Sequence, residues 1–255
     1  MYYQTTKTMT KKFELTNETF YDECVEARVY RIKALRDFGD VKAGDLGGFV
    51  EEESNLSHDG TCWIYDNAIV CRGSKVSEEA EVRDTAVISD ESYVWGNSRI
   101  YETPIVRSSR IRGGVVHGDA VVHNADVLWR GEVKDTAYVT GGVIRDGAVV
   151  ADNAHVSGNS YIDGYDTTVG RNASIADGNV YYTTDYHVFG GHNGIFVTWL
   201  RDDNGFVIFH RKYNAKEFIE YARSCGGVIL TNAISAIAGA EAMKLQTNSN
   251  KQDNE

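Results

Sequence analysis

Branched aliphatic residues recur every six positions along this chain, at Ile64, Val70, Val76, Val82, Ile88, Val94 and Ile100. From the second of these onward a small residue stands two places earlier, at Ala68, Ser74, Ala80, Ala86, Ser92 and Ser98. The register slips by a residue or so and then continues through Ile111, Val116, Val122, Val127, Val133, Val139, Ile144, Val150, Val156, Ile162, Val169 and Ile175. Ala125, Ala137, Ala148, Ala154, Ser160 and Ala173 keep the preceding small position. A helix would need a period near 3.6, and an ordinary strand ends after about five or six residues. A sustained six-residue period predicts an all-β solenoid, a single-stranded β-helix of hexapeptide repeats. Three hexads make one triangular turn, so the series implies roughly seven turns. The aliphatic points inward, and the small residue permits the tight corner.

The pattern divides the chain. Residues 1–12 are polar and read as a flexible arm. Residues 13–60 read as an N-terminal capping segment, with a strand near Val29 to Leu35, because a solenoid must cover its open strand edge. Residues 61–181 carry the β-helix. Residues 182–246 read as a hairpin-plus-helix appendage of α+β character. In it, Asp202 to Gly205 joins two strands, Asn214 and Glu217 form a capping-box pair, and Gly226-Gly227 stops the helix. Residues 247–255 read as a disordered tail.

Pro104 is the single proline beside 25 glycines, so turns fall to Gly, Asn and Asp, which tolerate left-handed backbone angles. A net charge of −11 disfavours nucleic acid and anionic membrane surfaces as partners. Cys24, Cys62, Cys71 and Cys225 form no C-x-x-C pair and no disulfide framework. With no signal-like segment and no long apolar run, a reduced cytoplasmic location is expected.

Outward positions carry the functional information. On the second face, the residue before each inward aliphatic is Ile69, Val87, Ile105, Val121 and Tyr138, an apolar column. Such a stripe marks either an interface, with a homotrimer burying it around its axis, or a surface covered by the chain's own termini. The third face is mixed, with Lys75, Tyr93, Arg110, Asp126, Val143 and Tyr161. Trp63, Tyr65, Tyr93, Trp95 and Tyr101 occupy outward positions of early coils. They can stack a ligand or lie under the N-terminal segment.

Arg36-Asp37-Phe38-Gly39-Asp40-Val41-Lys42-Ala43-Gly44-Asp45-Leu46-Gly47-Gly48-Phe49-Val50, with Asn55-Leu56-Ser57 and Cys62-Trp63-Ile64-Tyr65-Asp66-Asn67-Ala68, resembles the YdcK-type hexapeptide-repeat proteins. The C-terminal hairpin with Asn214 to Phe218 is similar to phage and prophage members. The resemblance implies a left-handed coil and an acyltransferase activity, the latter resting on a fold shared by proteins of many functions.

Acyltransferases of this fold place a histidine base in a cleft between prisms, with acyl-coenzyme A along the subunit groove. The histidines in the repeats are His117, His123 and His155. His117 and His123 flank one corner, and His155 continues the apolar column beyond Tyr138. The bland alternative is that these are solvated outward positions. Two features speak against catalysis: the slips leave no room for an acceptor loop, and Arg107, Arg110 and Arg112 fall on two faces. His187 and His192 flank Gly190-Gly191 without a carboxylate or cysteine at ligand spacing, so no metal site is expected.

Three functions follow from this reading. The first is a non-catalytic binding protein on an oligomeric scaffold, encoded by a phage or prophage, needing no cofactor and directed at a host protein or small molecule in the host cytoplasm. The second is an acyl-coenzyme-A-dependent acyltransferase using acetyl-coenzyme A or another acyl donor, with His117 or His123 as base. The third is a structural particle component.

Overall fold

The computed structural model describes residues 11–192, 195–201 and 203–252. The chain divides after Trp129 into two units. Both are built from the same repeating coil: mostly parallel strands form a β-solenoid of about eight turns, with a small C-terminal sheet and helices.

In the first unit, β1 (Phe13–Asp22) and β2 (Ala27–Ala34) pair antiparallel, with a bulge between Leu15 and Thr19. β3 (Leu46–Val50) is where the chain changes from cap to coil. One edge of β3 takes β2 antiparallel, and the other takes Ile69–Val70 parallel. The cap thereby saturates the edge that a solenoid would otherwise expose. Leu56 bridges Val76 in parallel, so a coil already exists before Ile64. This early coil accounts for a turn more than the hexads counted from Ile64 imply.

Three parallel ladders follow. One aligns Phe49, Ile69, Val87, Ile105 and Val121. A second aligns Trp63, Glu81, Arg99 and Val115. The third aligns Lys75, Tyr93, Arg110 and Asp126. These are the columns expected from every third hexad.

The inward aliphatics Val70, Val76, Val82, Ile88, Val94 and Val127 are fully buried, and each contributes roughly 1.5–3 kcal/mol relative to exposure. The small residues before them are equally buried, and the serines do more than fit. Ser74 Oγ accepts the Ser92 N–H, Ser92 Oγ accepts the Ser109 N–H, and Ser109 Oγ accepts the Ala125 N–H. The hydroxyls thus satisfy corner amides that no ladder reaches.

A corner of each coil is left-handed. Asp66, Asp84, Glu102 and Gly118 have φ of 52°, 59°, 71° and 71°. The non-glycine members are tolerated because their carboxylates cap the next coil: Asp66 accepts the Asp84 N–H, Asp84 the Glu102 N–H, and Glu102 the Gly118 N–H.

The second unit repeats the coil. Tyr138, His155 and Ser174 share one ladder, Glu132, Val149 and Thr168 another, and Val143, Tyr161 and Asn179 the third. Val133, Val139, Val150 and Val156 are fully buried. An antiparallel sheet of Tyr186–His192, Ile195–Leu200, Gly205–Ile208 and Arg211–Tyr213 then packs against α1 (Ala215–Cys225) and α2 (Gly227–Gln252).

Val197, Trp199, Phe206, Phe218, Ala233, Ala236 and Ala240 form the appendage core. The alanines at helical spacing let α2 approach the sheet closely. Asn214 Oδ1 accepts the Glu217 N–H and the Glu217 carboxylate accepts the Asn214 N–H, the capping box read from sequence. Gly226, with φ of 66°, ends α1.

Two sequence expectations change. Lys12, assigned to the flexible arm, is fully buried, its ammonium donating to Cys62 O at 2.8 Å and lying 3.1 Å from Cys62 Sγ. Residues 1–10 of that arm lie outside the described residues, as do residues 253–255 of the expected tail. The tail expectation fails up to Gln252, because α2 continues without a break through a segment whose polar composition suggested disorder.

Candidate functional site

His117 follows Val116 on the ladder of Trp63, and His123 ends the strand Val121–His123 on the ladder of Ile69. The corner between them turns at Gly118. The two imidazoles flank one corner, as expected, and their surroundings differ.

His117 is largely buried and stacks on Tyr101, with ring centroids 4.7 Å apart and planes 14° apart. Both residues follow inward aliphatics one coil apart. Glu102 Oε2 lies 3.6 Å from His117 Nδ1, and the same carboxylate accepts the Gly118 N–H at 2.6 Å. The carboxylate is therefore fixed by backbone and faces the imidazole at a distance beyond a hydrogen bond. Sequence reading missed Glu102; its signal is a place in the acid series Asp66, Asp84, Glu102.

His123 is exposed and pairs in register with Arg107. Its ring makes no hydrogen bond among the described residues. A general base needs a partner that fixes its tautomer, and His123 has none there.

The arginines do not form a phosphate seat. Arg110 donates from Nε to Asp126 at 2.7 Å, and Arg107 lies 3.8 Å from the Asp90 carboxylate. Arg107 stands on one ladder, and Arg110 and Arg112 on another.

The apolar column holds its register, but its members are not equivalent. Ile69 is only 7% exposed, because Val25, Ala27, Val29 and Phe49 of the cap pack around it, with Val87 at the margin. Ile69 is therefore covered by its own chain and not available to a partner. Val87, Ile105 and Val121 remain partly exposed, and in the second unit Tyr138 is 44% exposed. His155, next on that second-unit ladder, lies beneath Tyr138 on one side and His210 of the appendage on the other.

The aromatic candidates separate in the same way. Trp63 is buried, edge-on to Phe13 and Phe38, so the cap removes it from any stacking role. Tyr65 donates its hydroxyl to Asp40 at 2.6 Å beneath the Arg83 guanidinium, 3.7 Å from the ring. Burial, then the Asp40 hydrogen bond, push the Tyr65 hydroxyl well above its ordinary pKa. Tyr101 is committed to His117. Trp95 is partly buried, and Tyr93 is exposed between Lys75 and Arg110 in register.

Among the described residues, no cluster of His, Cys, Asp and Glu is arranged to hold a metal, and the His192 side chain lies outside them. No helix is long and apolar enough to cross a membrane among the same residues.

No protein-family profile matches the chain. A stretch of 68 residues is 41% identical to the uncharacterized acetyltransferase YdcK of Escherichia coli (strain K12). It covers 26% of this chain and 21% of that protein, so the chain matches about a fifth of its relative's length.

Proposed function

We propose that this protein is a non-catalytic binding scaffold, encoded by a phage or prophage, that self-associates through one face of its solenoid and engages a host component in the cytoplasm. The observation that carries this reading is the in-register column Val87, Ile105 and Val121, which stays partly exposed although the cap covers Ile69 beside it. Apolar side chains in line on a parallel ladder form a flat stripe, and packing three copies around an axis removes it from water. The exposure of His123, without an orienting hydrogen bond among the described residues, and repeat slips that leave no room for an acceptor loop support a role without chemistry. Light scattering tests it. The unmodified protein should have a trimeric mass and Val87→Glu/Val121→Glu a monomeric one; a monomeric mass for the unmodified protein defeats the reading.

A second reading is acyl transfer from acetyl-coenzyme A or a related donor. Two observations favour it: the acetyltransferase name of the relative, and the placement of His117 between the Tyr101 ring and the Glu102 carboxylate. Release of free thiol from acetyl-coenzyme A in the presence of a host lysate decides between the two.

A further inference from the structure

In the second unit the acid series at the left-handed corner runs Asp135, Asp152 and then Arg171, with φ of 59°, 56° and 57°. Asp135 accepts the Asp152 N–H at 3.0 Å, and Asp152 accepts the Arg171 N–H at 2.6 Å. The corner geometry is thus conserved through the last step while the side chain changes sign. Arg171 has no carboxylate to cap above it, and its guanidinium forms no ion pair among the described residues. A non-glycine residue held left-handed by its neighbour's carboxylate is a fixed position from which to present five donors.

That position opens onto a cleft of about 380 Å³ lined by Asp152, Thr168, Arg171, Thr183, Tyr186 and His187. The volume lies within the range of roughly 300–1,000 Å³ typical of small-molecule sites. Its walls are tied together. Thr183 Oγ accepts the Thr168 N–H, and the Tyr186 hydroxyl accepts the Gly170 N–H and donates to Thr168 O, each at 3.1 Å. The appendage strand is thereby fastened over the last coil, leaving the space between them open. His187 makes no hydrogen bond among the described residues, and burial, then the nearby Arg171 charge, keep its imidazole below its ordinary pKa. It therefore offers a neutral ring, able to donate or accept, beside a cation.

We propose that this cleft binds a phosphomonoester on a small hydroxylated body, of the size of a sugar phosphate. The guanidinium takes the phosphate through paired N–H···O bonds, which a planar fork makes best. The Asp152 carboxylate beside it disfavours a bare polyanion and accepts hydroxyl donors from the body, while Tyr186 and His187 provide walls. The chain's overall negative charge does not prevent this, since charges beyond about 8–10 Å are screened at physiological salt. The site shares no residue with the apolar column or with the surroundings of His117, so it holds or fails independently of both functional readings above.

The test is isothermal titration calorimetry of the full chain with ribose 5-phosphate, inorganic phosphate and ribose. Ribose 5-phosphate should bind saturably, one per chain, and more tightly than either fragment. Arg171→Gln should weaken it at least about tenfold, the loss expected for one charge-assisted contact. Arg171→Lys should retain part of the affinity and His187→Phe should lose part of it, with melting temperatures confirming that each variant folds. Should Arg171→Gln fail to fold, the Arg171→Lys and His187→Phe pair carries the test. Absence of saturable binding, equal affinity for inorganic phosphate or ribose, or binding unchanged in these variants overturns the proposal.

Discussion

The imidazoles of His155 and His210 lie against each other with ring centroids 3.8 Å apart, and His155 Nδ1 is buried without a hydrogen-bond partner. Burial first, and the neighbouring His210 second, lower the His155 pKa from 6.5 to about 4. An unfolded chain takes this proton near pH 6.5 and the folded chain only near pH 4. Between those values the unfolded state binds more protons, so the stability contributed by neutral His155 is complete above 6.5 and falls as the pH drops towards 4. Melting temperatures across this window should decline more steeply for the unmodified protein than for His155→Phe, which keeps a ring beneath Tyr138. Identical slopes would show that another group is responsible.

Val133 is fully buried on the axis of the second unit. Val133→Ala should lower stability by roughly 1.5–3 kcal/mol, read from urea unfolding. Val133→Asp places a carboxylate where no donor or water reaches it, and should leave the protein insoluble or unfolded. Soluble Val133→Asp with unchanged circular dichroism would mean that the inward register is wrong.

Asn214→Ala removes the acceptor for the Glu217 N–H and one half of the capping box. The loss should be about 1 kcal/mol. It should appear as faster amide exchange in α1, without change in the solenoid strands, because the cap stabilises one helix of the appendage.

If acyl transfer is the activity, His117→Ala should lower turnover by about two to four orders of magnitude with the donor still bound. Glu102→Gln should lower it less, since the Gly118 N–H keeps an acceptor while the charge facing His117 is lost. His123→Ala should have little effect. A larger loss at His123 than at His117 would reverse this assignment.

The hexads made the solenoid legible because a single physical rule, one aliphatic in and one small residue at the corner, is written again at every step. Val94, Ser92 and their equivalents needed no knowledge of their neighbours. The same rule located the register of the outward columns, while the hairpin around Asn204 and the cap at Asn214 were legible from their own turn and capping residues.

What depends on elements distant along the chain was not written locally. The cap turned Trp63 and Ile69 from surface candidates into buried residues, and α2 took up a segment that looked disordered. Glu102 faces His117 because stacking one coil on the next brings together residues that slips of a position or two keep from any fixed spacing. Arg171 lines one cleft with His187 because Tyr186 fastens the appendage strand to the last coil. The sequence by itself determined the repeating coil, since each hexad carries its own inward and corner residues. Only the tertiary structure decided which outward side chains meet water, which meet one another, and where a cleft opens, because those outcomes depend on how the cap and the appendage fold back over the coils they adjoin.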